Sequence, residues 1–231
     1  MRLKIVTVLL LSISASMAWA ATSHIELTSQ RDKLSYALGV MTGTAYSSHA
    51  VRINSNAFAL GMQDAISKQK TKLTEKQIKT IIQDFQEENQ QAAQSKLKKK
   101  AEKNLQGGEA FLRQNEAKPG VITLKSGLQF KVIQEGNGEQ PKLTNSVLLE
   151  YEGKLIGGKI FDSSYARGTP ASFPLEQVIK GWQQALQMMR PGAVWELYIP
   201  AKLAYGEADV PGIGPNQTLI FKVHLISIEK N

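Results

Sequence analysis

At 231 residues the chain exceeds the roughly 100–150 of one ordinary domain, so at least two folded parts are expected. It has no cysteine, which removes disulfides, thiol catalysis and lipid attachment through an N-terminal cysteine together. The formal charge of +8 suggests nucleic acid only until it is divided along the chain. Positions 21–119 carry 15 basic and 10 acidic residues, positions 120–231 carry 11 and 10, and the excess gathers in Lys96, Lys98, Lys99, Lys100 and Lys103. No aromatic residue stands among those lysines to stack on a base, so no nucleic-acid partner is expected; a solvated helix face is the plain reading, a patch for acidic lipid or polyanion the sharper one.

Residues 1–20 read as a processing signal. Arg2 and Lys4 form a charged start, Ile5 to Leu11 an apolar centre, and Ala18-Trp19-Ala20 a small-x-small cleavage site, leaving a mature chain from Ala21. The apolar run is shorter than the roughly 20 residues that a membrane span needs, and no later segment approaches it. The expected compartment is outside the cytoplasm: periplasm, outer-membrane surface or secreted.

Residues 21–73 read as a helical domain. Ser29-x-x-Asp32 is a capping box, followed by Leu34, Leu38 and Met41 at helical spacing, with Gly39 and Gly43 four residues apart where another helix could approach closely. A second helix is capped by Asn54 or Ser55 and carries Phe58, Met62, Ala65 and Ile66 on one face. Both helices are too short to bury their stripes alone. A second copy of the segment, or packing on each other and on the next helix, would supply the cover.

Thr74-Glu75-Lys76-Gln77 is another capping box, and no proline follows until Pro119. A helix from about Thr74 to Asn115 is predicted, a rod of roughly 60 Å at 1.5 Å per residue, filling a linker over 74–118. Ile78, Ile81, Ile82 and Phe85 mark its packed end. Beyond Phe85 the large apolar residues thin out, so the remainder should run through solvent, with Gly107-Gly108 as its weakest point.

From 119 to 231 the pattern changes to strands. Leu128, Phe130 and Val132 alternate with polar neighbours, Ser146 to Ile156 forms a second strand, and Gly157-Gly158 turns it into a return over Lys159 to Phe161. A short helix is predicted over Leu175 to Trp182, and further strands over Ala193 to Ile199 and Gln217 to Ile228. An antiparallel sheet wrapped around one short helix, preceded by an all-α domain and a long connecting helix, makes the fold class α+β.

Aromatic residues are sparse elsewhere but recur between Phe161 and Phe221 around Gln177-Val178-Ile179-Lys180-Gly181-Trp182, which points to a small apolar cavity. The segments Tyr151-Glu152-Gly153, Phe161-Asp162-Ser163-Ser164, Gln177 to Trp182, Ala204-Tyr205-Gly206 and Thr218-Leu219-Ile220-Phe221 resemble, in order and spacing, the FKBP class of peptidyl-prolyl cis-trans isomerases. Upstream, the signal segment, Asp32-Lys33-Leu34-Ser35-Tyr36, Gly61-Met62-Gln63-Asp64-Ala65 and the long helix resemble the macrophage infectivity potentiator (Mip) and periplasmic FkpA group, whose members are homodimers joined through their N-terminal helices.

By that resemblance Trp182 is the floor of a proline pocket, and Tyr151, Phe161, Phe173, Val178, Ile179, Tyr205 and Phe221 are its walls. Asp162 stands at the rim with Tyr151 and Arg167 as partners, and the Ile179 N–H and Tyr205 hydroxyl bind peptide carbonyls. Asp162, Tyr205 and Tyr151 are the candidate catalytic residues; the others bind substrate. Proline-containing unfolded or extended polypeptides, and macrolides such as rapamycin, are the implied ligands. Gln177 stands where many members have Glu, Val210 where some have His and Gly214 where some have Ile, which touches ligand preference more than the reaction.

Elementary chemistry agrees with this assignment. Rotation about X-Pro faces a barrier of roughly 18–20 kcal/mol because the planar amide is resonance-stabilised. A cavity that excludes water favours the twisted, less polar transition state, with no nucleophile, metal or cofactor required. His24, His49 and His224 share no metal spacing. Asp162 could alternatively cap a turn beside Ser163-Ser164. A dimeric holdase or adhesin, with isomerisation secondary, is the alternative function.

Overall fold

The computed structural model describes residues 25–48, 51–68 and 70–229. The processing signal, His24 and His49 lie outside them. The chain divides into two compact units between Glu75 and Lys76.

In the first unit α1 spans Gln30–Ser48 and α2 spans Ser55–Ile66. The capping box at the start of α1 is formed with Asp in place of the usual Glu: Ser29 N–H donates to Asp32 Oδ2 at 3.1 Å, and Asp32 N–H donates to Ser29 Oγ at 3.1 Å. Of the two candidates for the second cap, Asn54 serves, its Oδ1 accepting from the Ala57 N–H at 3.0 Å. Tyr46 and Phe58 meet edge to face with ring centroids 6.2 Å apart. Neither helix buries any residue within the single chain, and Met41 and Ile66 are 68% and 76% exposed.

The third helix, α3, is unbroken from Glu75 to Asn115, close to the predicted rod. Its solvation differs from expectation. Ala101, Asn104, Gly108, Phe111 and Asn115 recur at three- and four-residue spacing as one shielded stripe, so the last turns are docked rather than free. Apart from Phe111, the residues doing this are small or polar, which is why a search for large apolar side chains overlooks them. Gly108 is a point of close approach: a Cβ there would lie 2.3 Å from Thr218 Oγ1. Farther on, Phe111 packs on Tyr198 with centroids 6.0 Å apart. Buried Asn115 donates to Gln129 Oε1 at 3.0 Å, and Gln129 donates to the Leu112 carbonyl at 2.9 Å.

The remainder of the second unit is one antiparallel sheet. Its strands are β1 (Val121–Thr123), β2 (Gln129–Gln134), β3 (Ser146–Leu155), β4 (Ile160–Ser163), β5 (Ala171–Pro174), β6 (Val194–Ile199) and β7 (Leu219–Glu229). Their order is β1-β2-β6-β7-β3-β4, and β5 also pairs with β3. One edge of β3 is thus shared, Ser146–Leu149 facing β5 and Glu152–Lys154 facing β4. Sequence patterning gave no sign of β1 and β5, which are three and four residues long.

Two short helices complete the unit, α4 (Ser164–Arg167) and α5 (Lys180–Leu186). The predicted helix over Leu175 to Trp182 is corrected. A 3-10 turn covers Leu175–Gln177, Val178 and Ile179 are extended, and α5 begins only at Lys180. Trp182 therefore sits in the first turn of α5 rather than at its end. Helix α5 crosses the sheet at Gly181, where a Cβ would stand 2.4 Å from Ile199 Cγ2. Its Trp182, Ala185 and Leu186 join Val147, Leu149, Leu197, Leu219, Val223 and Leu225 in a closed core. Each such leucine contributes on the order of 1.5–3 kcal/mol by leaving water.

Candidate active site

Alternation along β3 sends Val147, Leu149, Tyr151 and Gly153 inward. Tyr151 forms one edge of a 220 Å³ cavity between the sheet and α5. It is lined by Tyr151, Phe161, Asp162, Phe173, Gln177, Val178, Ile179, Trp182, Tyr205 and Phe221. Such a volume is smaller than the roughly 300–1,000 Å³ of drug-sized sites and suits a single small ring, with the rest of a ligand lying over the rim.

Trp182 is 4% exposed and touches three rings edge to face: Tyr151 at 5.2 Å, Phe173 at 5.6 Å and Phe221 at 5.1 Å between centroids. These contacts put it at the base. Phe161 meets Phe221 at 5.5 Å and 89°. The two rings lie over Gly153, where a Cβ would come within 2.6 Å of Phe221 and 2.8 Å of Phe161. Sequence reasoning quoted Gly153 without a role; a glycine inside a strand was the available signal of close approach.

At the rim Tyr151 donates from its hydroxyl to Asp162 Oδ2 at 2.6 Å, and Arg167 donates to Tyr151 Oη at 2.8 Å. Arg167 also bonds the second Asp162 oxygen. Its guanidinium lies 5.5 Å from the Tyr151 ring centroid. Arg167 does not line the cavity; it acts on two residues that do. The turn-capping role considered for Asp162 belongs to Ser163, whose Oγ accepts from the Ala166 N–H at 3.2 Å.

Burial pushes the Asp162 carboxyl up, but the hydrogen bonds from Tyr151 and Arg167 outweigh it and hold the group below its ordinary value. Burial raises Tyr151, reinforced by its bond to Asp162, and burial with the Asp162 charge raises Tyr205. At neutral pH the site therefore holds one oriented carboxylate and two protonated phenols.

Val178 and Ile179 present themselves to the cavity because the chain is extended there. Gln183 donates to the carbonyls of Glu176 and Val178, both at 3.1 Å, and the Ile179 carbonyl accepts from the Trp182 and Gln183 N–H groups. The Ile179 N–H and the Tyr205 hydroxyl make no hydrogen bond among the described residues. The clamp by Gln183 was not legible in sequence. Gln177 lines the cavity, whereas Val210 and Gly214 lie outside its lining. His224 is on β7, 3.2 Å from Glu150.

Comparison with known proteins gives the class: a family model described as "FKBP-type peptidyl-prolyl cis-trans isomerase" matches residues 137–226. The chain belongs to that family. A second model, "Domain amino terminal to FKBP-type peptidyl-prolyl isomerase", matches residues 31–132. Within the family the chain is of the Mip and FkpA type. It is 47% identical over 221 residues to "Peptidyl-prolyl cis-trans isomerase Mip" of Coxiella burnetii, covering 95% of this chain and 96% of that protein. Identity to "Outer membrane protein MIP" of Legionella longbeachae is 45% over 231 residues, 100% of this chain and 99% of that one. Among solved structures, FkpA from Escherichia coli superposes with a TM-score of 0.72 at 36% identity, covering 87% of this chain and 98% of that one. The protein is thus a peptidyl-prolyl cis-trans isomerase.

Proposed function

We propose that the cavity based on Trp182 receives the prolyl ring and that rotation about the X-Pro bond takes place against its apolar walls. The rings of Tyr151, Phe161, Phe173 and Phe221 exclude water from the bond. The planar amide, whose charge separation water stabilises, then loses more than the twisted amide does, which lowers the barrier. The Ile179 N–H and Tyr205 hydroxyl, both without partners among the described residues, bind carbonyls of the peptide on either side of the bond. Asp162, oriented by Tyr151 and Arg167, carries a fixed negative charge at the rim that favours one orientation of the rotating amide dipole. The single observation behind this reading is the convergence of four aromatic walls, one buried indole and two unpartnered donors on a 220 Å³ cavity.

Its substrates are proline-containing unfolded or extended polypeptides, and macrolides such as rapamycin compete for the cavity. The chain is organised as a leader over 1–20, a helical dimerisation domain over 21–73, a linker helix over 74–118 and an isomerase domain over 119–231. Dimerisation through the N-terminal helices is supported by their uncovered apolar residues and by Gly39 and Gly43, around which a Cβ would meet nothing within 4 Å. A 630 Å³ groove between α1 and α2, lined by Gly39, Gly43, Tyr46 and Phe58 among others, fits a helix of a second copy. The same exposed faces favour a second activity, holding unfolded clients.

Export to the periplasm or the outer-membrane surface is supported by the leader and by the name of the Legionella relative, "Outer membrane protein MIP". No described helix is long and apolar enough to cross a membrane. Proline-limited refolding tests the site. Tyr205→Ala and Asp162→Ala should each slow catalysed refolding, and full rates in both would remove this cavity from the mechanism.

A further inference from the structure

We infer that α3 is a positioning element of the isomerase site: Asn104 fixes the loop that begins at Tyr205, and so sets how tightly the site holds its peptide. This rests on the cavity being the isomerase site.

The physical path is short. Residues 206–216 form a loop after Tyr205, and the Asn216 N–H donates to the Gly206 carbonyl at 2.7 Å, closing its base. The other end of the same peptide unit, the Pro215 carbonyl, accepts from Asn104 Nδ2 at 2.7 Å. One peptide group is therefore held at both ends, by the rod on one side and by the residue next to Tyr205 on the other. Each bond polarises the amide in the sense that strengthens its partner. Asn216 adopts a left-handed backbone, φ 51°, so the corner it makes has a conformation that needs such support.

Two further contacts fall on the same face of α3. Lys100, one turn before Asn104, lies 3.4 Å from Asp209 on the loop. Gly108, one turn after, meets Thr218 where the chain leaves the loop for β7. Positions 100, 104 and 108 thus bracket the loop from Asp209 to Thr218 at successive turns. Asn104 is the central and best-shielded polar contact; the Lys100–Asp209 pair is about half exposed on each side and contributes less. Thr218, 3% exposed and in van der Waals reach of α3, leads three residues later to Phe221 in the cavity wall. Two cavity residues, Tyr205 and Phe221, therefore flank a segment whose position α3 determines.

The test uses the full chain with Asn104→Ala and the same-sized Asn104→Asp, which cannot donate to a carbonyl. Amide exchange of Val210, Ile213, Gly214 and Asn216 is measured beside kcat and KM for an Xaa-Pro peptide. Both variants should exchange faster in the loop while strands β3 and β7 are unchanged. KM should rise about two- to tenfold, the range one hydrogen bond is worth, with kcat within about twofold. Lys100→Ala should move the same readouts less. Unchanged loop exchange would overturn the inference, and so would faster exchange with an unchanged KM. Tyr205→Phe is the control: a raised KM there with none in the Asn104 variants refutes the role of α3 alone, no change in Tyr205→Phe removes that hydroxyl from peptide binding and with it the premise of the inference, and catalysis that persists on the rapamycin-saturated chain refutes the site itself.

Discussion

Leucine meets opposite fates in the two units. Leu149, Leu186, Leu197 and Leu225 of the sheet unit are fully buried, while Leu34 and Leu38 of α1 are each more than half exposed in the single chain. A seven-stranded antiparallel sheet bent around α5 supplies cover to both of its own packed surfaces. Helices of 19 and 12 residues offer each other one narrow seam. The sheet unit should accordingly owe its stability to itself, and the helical unit should owe its stability to whatever covers it.

The sharpest way to break that contrast is a cavity in the sheet core. Leu197→Ala should cost about 2–5 kcal/mol in the unfolding of the sheet unit, read as a lowered urea midpoint that does not vary with protein concentration. Replacing Leu38 and Met41 together by Asp should instead leave that midpoint in place and weaken self-association at least tenfold, about 1.4 kcal/mol, by sedimentation. A chain that sediments as a monomer before the substitution would undo the dimer half of the contrast.

Within the sheet unit, Gly153→Ala separates packing from chemistry. Its new methyl must displace the Phe161 and Phe221 rings, so kcat/KM for a prolyl peptide should fall about tenfold, near 1.4 kcal/mol, with the strand pairing kept. Tyr205→Phe should raise KM by about two- to tenfold through loss of one hydrogen bond, and an unchanged KM would exclude its hydroxyl from peptide binding.

The smallest effect concerns pH. Asp162 titrates below its ordinary range and Tyr151 and Tyr205 above theirs, so kcat/KM should be flat between about pH 5 and 9. Because the folded value of Asp162 lies below its unfolded one, its contribution to stability is present above the ordinary aspartate value of 3.8 and is lost as pH falls through the lower folded value. Asp162→Asn should therefore lower stability across the neutral region and flatten the acid limb of the stability curve.

How much of this was legible in sequence follows the range of the interactions. Capping boxes and strand alternation are local, and Ser29, Asp32, Asn54 and the β3 pattern were read from neighbours alone. The aromatic cavity was legible because its members lie in separated motifs whose order and spacing match a family, although nothing local joins Tyr151 to Phe221. The docking of α3 was not legible. Asn104, Gly108 and Asn115 are residues that hydropathy reads as solvent-facing, and their partners Pro215, Thr218 and Gln129 lie up to 111 positions away. Gly107-Gly108 looked like a weak point for the same reason: a glycine that marks close approach and one that marks bending are the same letter.

The central claim is that the Trp182 cavity is where the X-Pro bond turns. Isomerisation of a prolyl peptide by the full chain, titrated with rapamycin, tests it most directly. Catalysis should fall in proportion to bound rapamycin and vanish at one equivalent per cavity; catalysis that persists on the saturated protein would place the reaction elsewhere.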